Sequence, residues 1–296
     1  MKEFIRTITC VLIIAFYAVG VSFSAQTIKA EKVGYPPVID GIGNDEVWQQ
    51  AQSIVTYDNV ADIDLTLKAL YTDNQIFFLV VFPDADESRT HKSWVWDKIK
   101  EMYILGRDRE DVFVLKWNME SEHRDLSIYG KDPYAADVWF WKACRTDPKG
   151  YADDKIQTLD SIETRNSLGL TSKAGTTMYL LRTGDSGKPV YKTDLQEADY
   201  ADDKLLRYSF SLPTGSRADI QAKGVWKDGA WTVEFARALN TRQEDDLLFD
   251  VTRKYQFGVS RYEIAGRQPN PKSEQPLYGS GDVGEELILT FEGAGE

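Results

Sequence analysis

The chain has 296 residues, of which 42% are hydrophobic and 12% aromatic, so it can form a large core and is not globally disordered. Its formal charge of −12 argues against a protein that binds nucleic acid phosphates. With two cysteines and two histidines, the sequence has no disulfide framework, no Cys/His zinc cluster and no Cys-x-x-Cys-His motif for covalent c-type haem.

The first 24 residues have the pattern of a secretory signal peptide. Lys2 and Arg6 precede an apolar run that ends near Val21, and the small residue Ser24 follows. We predict cleavage after Ser24, which gives a periplasmic or otherwise extracytoplasmic protein without a membrane span. An uncleaved membrane anchor is the alternative, although the apolar run is short for a bilayer of about 30 Å.

Strand patterns dominate the rest of the chain. Asp64–Phe82 alternates polar and apolar residues, turns at Thr72–Asn74 and continues as an apolar run, which predicts a β-hairpin. Seven further strands are predicted at Asp111–Trp117, Asp137–Trp141, Met178–Arg182, Leu205–Leu212, Trp231–Phe235, Tyr255–Val259 and Glu286–Phe291. Many short strands separated by turns predict an all-β fold, namely an antiparallel β-sandwich.

Helical pattern is scarce, and the best candidate is a short helix at Asp45–Ala51 with Asn44 as its N-cap. We predict long loops at 86–110, 145–175 and 183–205. No linker rich in Gly, Ser or Pro divides the chain, so residues 25–296 are predicted to form a single domain.

Aromatic residues and paired aspartates are the notable side-chain patterns. Trp139 and Trp141 lie two apart in a predicted strand and therefore point to one face, with Phe140 opposite. Such a wall of aromatic side chains could pack a flat ligand, or it could fill the core.

The tetrapeptide Tyr-Ala-Asp-Asp occurs twice, at 151–154 and 200–203. The residue spacing of a calcium-binding loop is absent, so we predict solvated loops there rather than a metal site. The lone cysteine after the signal segment, Cys144, is predicted to be buried.

The sequence does not show the pattern of a known catalytic centre. Only His91 and His123 could serve as the base of a nucleophilic triad, and no Gly-x-Ser-x-Gly elbow accompanies them. Phosphate-binding glycine loops are also absent. We therefore predict that the protein is not an enzyme, with hydrolase activity as the least favoured alternative.

Several segments carry a resemblance to known proteins: EDVFVLKWNM at 110–119, ADVWFWKACRTDPKGYADDK at 136–155, KGVWKDGAWTVEFARAL at 223–239 and KYQFGVSRYEI at 254–264. They are similar to the haem-binding domain of the gamma subunits of ethylbenzene dehydrogenase and dimethylsulfide dehydrogenase. Residues 39–51 resemble the opening of family 9 carbohydrate-binding modules. The resemblance covers most of the chain from Val38 to Phe291.

The resemblance implies a β-sandwich that holds one noncovalent b-type haem and passes single electrons between a redox partner, such as a molybdenum enzyme, and another carrier. We expect Trp139, Trp141 and Lys142 of the Trp-x-Trp-Lys strand to bind the cofactor. In the gamma subunits one methionine and one lysine hold the iron. The late lysine corresponds to Lys272 here, but no methionine occupies the family's position shortly before Trp139.

The second axial ligand therefore has to come from nearby residues. Met119 and His123 lie upstream of Trp139, close to the family's methionine position, and Lys131 lies at that position itself. Met119, His123, Lys131 and Lys272 all remain candidates. The alternative function is a haem-free module that binds carbohydrate or another ligand on the same sandwich, with residues such as Trp94 and Trp96 stacking on sugar rings.

Overall fold

The structure is a computed structural model that describes residues 25–58, 63–172, 174–262 and 285–293. The predicted signal peptide lies outside these ranges, so its cleavage stays a prediction. The strands in the described ranges are β1 (Gln26–Lys32), β2 (Ile54–Asp58), β3 (Ile63–Tyr71), β4 (Gln75–Pro83), β5 (Trp94–Asp97), β6 (Met102–Leu105), β7 (Val112–Asn118), β8 (Tyr134–Lys142), β9 (Asp153–Asp160), β10 (Leu168–Thr171), β11 (Thr177–Gly184), β12 (Tyr191–Thr193), β13 (Lys204–Leu205), β14 (Tyr208–Phe210), β15 (Gln221–Lys227), β16 (Ala230–Ala238), β17 (Tyr255–Tyr262) and β18 (Glu286–Phe291). Short 3-10 helices cover Glu46–Gln49, Asp147–Lys149 and Gly215–Ala218.

Most of these strands form two layers that are connected through β1. The first layer has the order β10-β11-β9-β8-β7-β17-β18, and the second has β3-β4-β16-β15 with β2 on β3. Residues 26–30 of β1 pair in parallel with β18, and Glu31 and Lys32 pair in parallel with β3. The other ladders within the two layers are antiparallel. Small separate sheets are formed by β12 with β14 and by β5, β6 and β13.

Large aromatic side chains pack the two layers against each other. Phe78 of β4 contacts Trp117 of β7, with ring centroids 5.4 Å apart, and Phe82 stacks on Phe113 at 5.5 Å. Each of these rings is at least 99% buried. Burial of such apolar area is the main stabilising contribution to the fold. The prediction of an all-β sandwich is confirmed.

The outer faces of both layers are also covered. A second apolar cluster, which includes Val138, Leu126 and Met178, lies on the outer face of the first layer. A third cluster places Trp48 on the outer face of the second layer, where its indole nitrogen donates to Glu234 Oε1 at 2.7 Å. The described residues include no helix of the length and apolar character that a bilayer-spanning helix needs.

The predicted elements agree with the structure where the alternation is strong. The hairpin at Asp64–Phe82 is confirmed as β3 and β4, and the strand at Glu286–Phe291 matches β18. The strand predicted at Leu205–Leu212 is wrong as a continuous element, because β13 and β14 are separate and pair with different partners. The short helix is a 3-10 helix whose N-cap is Asp45, not Asn44, and the Asp45 carboxylate accepts from the Val38 amide at 2.7 Å instead.

The predicted long loops contain strands. The range 86–110 holds β5 and β6, 145–175 holds β9 and β10, and 183–205 holds β12 and β13. These strands were missed because they are short or because polar residues occur on both of their faces. In β9, for example, Asp153 and Asp154 are both buried although they point to opposite faces.

Candidate functional site

A cavity of about 440 Å³ opens beside the end of β7. Its volume falls within the range of roughly 300–1,000 Å³ that is usual for ligand pockets. The walls come from the residues after β7, the connection between β16 and β17, the start of β17, and β18. The lining includes Met119, His123, Leu247, Leu248, Tyr255 and Ile288. The cavity thus brings together residues that are far apart in sequence.

Met119 and His123 lie on the turn that follows β7, and Asn118 holds that turn in place. The buried Asn118 side chain donates to the backbone oxygen of Glu122 at 2.7 Å and to Gln256 Oε1 at 2.8 Å. The first bond closes the turn, and the second fixes it to β17. The Met119 amide also donates to the Ala135 carbonyl at 3.1 Å and the Arg124 amide to Gln256 Oε1 at 3.0 Å, so several bonds hold the turn that carries Met119 and His123.

The two side chains differ in exposure. Met119 is half-buried, whereas His123 is 64% exposed and has its Nε2 2.5 Å from Glu286 Oε2. A carboxylate that accepts from one imidazole nitrogen orients the ring and leaves the other nitrogen for a ligand. Thioether sulfur and imidazole nitrogen are both ligands of haem iron. Two of the four candidate axial ligands therefore face one cavity.

The remaining lining combines apolar, cationic and acidic groups, the last being Glu120 and Glu122. Arg253 and Lys254 are exposed cations at the cavity, and Leu248 contributes apolar surface. The Tyr255 hydroxyl accepts from the amide of Asp250 at 2.5 Å and donates to the carbonyl of Leu248 at 3.2 Å, which fixes this wall. Arg253 and Lys254 could pair with carboxylates of a ligand, and Leu247 and Leu248 could contact its apolar part.

The two lysine candidates are not part of this arrangement. Lys131 is exposed in the turn before β8 and is not among the residues that line the cavity. Lys272 lies outside the described residues. The proposed axial role of each therefore stays a prediction.

Trp139 and Trp141 point to one face of β8, with Phe140 on the other. Both indoles are fully buried between the two layers, where Trp139 packs against Trp117 at 5.4 Å and Trp141 against Trp231 at 4.8 Å. They fill the core, and neither lines the cavity. Their predicted contact with a cofactor stays a prediction, and the structure gives them a packing role.

Lys142 lies on the outer face of β8 in a buried cluster of charges. Its ammonium donates to Asp153 and, at 3.2 Å, to the Tyr191 hydroxyl, while Lys155 and Arg217 also bind Asp153. Burial alone would raise the pKa of Asp153, but these three cations lower it well below its ordinary value. Burial, reinforced by the charge of Arg145, lowers the pKa of Lys142 to about 8, although the Asp153 carboxylate acts in the opposite direction. The described contacts of Lys142 are thus structural.

His91 lies beside this cluster and makes the stability of the protein sensitive to acid. Burial, together with Arg145 and Lys92, lowers the pKa of His91 to about 2. Glu110 is 3.4 Å from His91 Nδ1, but its carboxylate already binds the Arg145 guanidinium and the Arg145 amide, so it does not hold the imidazole protonated. His91 is therefore neutral in the folded protein and charged in the unfolded chain below pH 6.5.

We expect the free energy of unfolding to decrease as the pH falls below 6.5, with His91 contributing up to about 1.4 kcal/mol per pH unit. The unfolded chain binds the additional proton in this range, so acid favours unfolding. Urea unfolding of the protein and of His91→Gln between pH 7 and pH 4.5 measures the effect. The variant should show the smaller slope; equal slopes would contradict the assignment of His91 as a buried neutral group.

Cys144, predicted to be buried, is half-buried. Its amide donates to Glu110 Oε2 at 2.8 Å, which ties the turn after β8 to the segment that leads into β7. Burial, reinforced by the negative charge of Glu110, raises the pKa of the Cys144 thiol to about 12. The thiol is therefore protonated at neutral pH and a poor nucleophile.

The paired aspartates show where the sequence pattern was misleading. The copy at 200–203 is exposed as predicted, but Asp153 and Asp154 are fully buried at the start of β9, so the prediction of a solvated loop is wrong for the first copy. The Asp154 carboxylate lies close to those of Asp185 and Asp246. The available signal was a pair of adjacent acids at the start of a strand, since successive residues of a strand face opposite sides.

Comparison with known families shows the family to which the chain belongs. The family model described as ethylbenzene dehydrogenase matches residues 45–268, well over half of the sequence. The chain belongs to the ethylbenzene dehydrogenase family. This is a family of enzyme subunits, and the match includes β7, β8 and the residues of the turn that carries Met119 and His123.

Solved structures with a similar architecture include a family 9 carbohydrate-binding module from Caldicellulosiruptor kristjanssonii. In its complex with cellotriose the sequence identity is 12% and the TM-score 0.36, over 90% of this chain and 95% of that chain. In its complex with glucose the values are 11% and 0.39, over 92% and 99%. A comparison with curated proteins gave no match.

Proposed function

We propose that this member of the ethylbenzene dehydrogenase family is an extracytoplasmic electron-transfer domain that holds one b-type haem noncovalently. The observation that carries the proposal is that Met119 and His123, both suitable ligands of haem iron, line the same cavity. Membership of a family of redox-enzyme subunits supports it. The protein would be a carrier of electrons and not itself a catalyst.

The residues of the cavity fit such a group. Met119 offers a thioether, and His123 offers Nδ1 because its Nε2 is paired with Glu286. Arg253 and Lys254 provide positive charge for the carboxylates of a porphyrin, and the neighbouring leucines provide apolar contact. A haem bound there would supply a one-electron couple between ferric and ferrous iron.

The chain's own residues determine how well the ligands are positioned. Asn118 fixes the turn that carries both ligands, and the hydroxyl of Tyr255 fixes the opposite wall. Because these bonds are made by buried or half-buried groups, the cavity is largely preformed. If haem were bound, residues held in this way would need little rearrangement when an electron is gained or lost.

The proposal extends to partner and location. A family of this kind implies association with a molybdenum enzyme subunit, and the charge of −12 suits docking on a basic surface. The signal-peptide pattern at the N-terminus supports localisation outside the cytoplasm. These parts of the proposal rest on the sequence and on the family.

Visible spectra of the purified protein after addition of haem test the proposed function. We expect retained haem after gel filtration and, on reduction, the sharp bands of six-coordinate low-spin iron. Met119→Leu and His123→Gln should each abolish these bands, because each removes one ligand. Met178→Leu, in the second apolar cluster, and His91→Gln, beside the charged cluster, are matched controls that should keep them.

Other outcomes would overturn the proposal or part of it. If the unaltered protein retains no haem, the electron-transfer function is wrong and the ligand-binding alternative should be examined with glycans and with Trp94→Ala. If Lys131→Ala or Lys272→Ala removes the bands while Met119→Leu and His123→Gln do not, the ligand pair is wrong although the cofactor is right.

A further inference from the structure

Three carboxylates from separate parts of the chain meet at the inner face of the first layer. Asp154 lies at the start of β9, Asp185 follows β11, and Asp246 lies in the connection between β16 and β17. One carboxylate oxygen from each residue lies within 4.8 Å of the others. All three residues are at least 91% buried.

The carboxylates have oxygen atoms that no protein donor satisfies. Among the residues that the structure describes, no donor reaches Asp154 Oδ2, either oxygen of Asp185, or Asp246 Oδ2. The other oxygens of Asp154 and Asp246 accept from the Lys155 amide at 3.1 Å and from the Ser216 hydroxyl at 3.0 Å. Each of these two side chains is thus oriented by one oxygen and directs the other toward the cluster.

Positive charge within the cluster is insufficient to balance these groups. Arg237 is the buried cation of this region, but its guanidinium already donates to Asp137 Oδ2 at 2.6 Å and to the carbonyl of Leu247. Unpaired buried carboxylates cost several kcal/mol each, so native proteins pair them, bind a cation or keep them protonated.

We propose that Asp154, Asp185 and Asp246 form a calcium-binding site that joins β9, the end of β11 and the connection between β16 and β17. Calcium binds oxygen ligands at about 2.3–2.6 Å, so one ion can reach three carboxylate oxygens that all lie within 4.8 Å of one another. Magnesium is usually held by one or two carboxylates and several waters, which suits three buried carboxylates less well. The absence of sulfur and imidazole ligands from the cluster disfavours zinc and copper.

The site has a mechanical consequence for the neighbouring cavity. Asp246 directly precedes Leu247 and Leu248, which line the cavity, and the amide of Leu247 donates to Asp137 Oδ2 at 2.9 Å. An ion bound by Asp246 would hold this connection against the first layer. Calcium binding does not depend on haem binding, so the two proposals can fail separately.

Calorimetric titration of the chelator-treated, haem-free protein with calcium chloride tests the site. For a module outside the cytoplasm we expect one site with a dissociation constant of about 10⁻⁴–10⁻³ M or tighter, and a higher melting temperature with calcium than with chelator. Asp185→Asn and Asp246→Asn should weaken binding at least tenfold. Asp203→Asn, in the exposed copy of the same tetrapeptide, is the matched control and should bind as the unaltered protein does.

The melting temperatures in chelator distinguish loss of the site from loss of the fold. Neutralising Asp185 or Asp246 relieves repulsion, so these variants should be at least as stable as the unaltered protein when no calcium is present. No heat of binding and no change in melting temperature would overturn the proposal and indicate that protons shared between the carboxylates balance the charge. Equal loss of binding in Asp203→Asn, or an equal response to magnesium, would also overturn it.

Discussion

Replacing Arg237 by methionine is expected to lower the free energy of unfolding by about 3–5 kcal/mol, because it leaves the buried carboxylate of Asp137 without its partner. The Arg237 guanidinium donates to Asp137 Oδ2 at 2.6 Å and lies over the rings of Trp139 and Phe249, at 4.8 and 5.1 Å. Methionine keeps much of the volume and none of the charge. Urea unfolding in the presence of chelator measures the loss without a contribution from bound calcium.

A double variant separates the pair from the packing around it. Arg237→Met with Asp137→Leu removes both charges, so it should recover a large part of the stability lost by Arg237→Met alone. Arg165→Met is the control, since Arg165 is exposed in the turn before β10. A loss below about 1 kcal/mol for Arg237→Met would show that the pair is not the principal charge balance of Asp137.

Replacing Trp139 by alanine is also expected to cost about 3–5 kcal/mol of unfolding free energy, as for large aromatic residues in a core. The indole is fully buried and lies 5.4 Å from the ring of Trp117 and 6.1 Å from those of Phe78 and Phe249. Its removal leaves a cavity that the rigid sheets on either side cannot close. Chemical unfolding followed by circular dichroism measures the loss.

The same residue distinguishes core filling from cofactor contact. Trp139→Phe retains most of the packing, so it should lose much less stability than Trp139→Ala, and it should leave a haem spectrum unchanged because the indole does not line the cavity. Trp96→Ala, on the small sheet of β5 and β6, should cost less than Trp139→Ala since Trp96 is only half-buried. A haem spectrum altered by Trp139→Phe at unchanged stability would instead support the cofactor contact expected from the family resemblance.

The sequence predicts a strand well where every second side chain is apolar and packs in the core between the two layers. In β7, Phe113, Leu115 and Trp117 face the opposite layer, and the hairpin of β3 and β4 follows the same rule. β9 escaped prediction because its two opening residues meet different charged clusters, Asp153 that of Lys142 and Asp154 that of Asp246. The order of polar and apolar residues does not distinguish such buried acids from solvated ones, because the residues that contact Asp153 and Asp154 are remote in sequence.

The sequence by itself determined the all-β class, the hairpin and the one-sided placement of Trp139 and Trp141, which follow from local periodicity. The family resemblance added Met119, His123, Lys131 and Lys272 as candidate ligands. Only the tertiary structure decided that Met119 and His123 share a cavity with Tyr255, and that Asp154, Asp185 and Asp246 converge. Both arrangements depend on which strands become neighbours in the two layers, and that pairing is set by long-range packing of the whole chain.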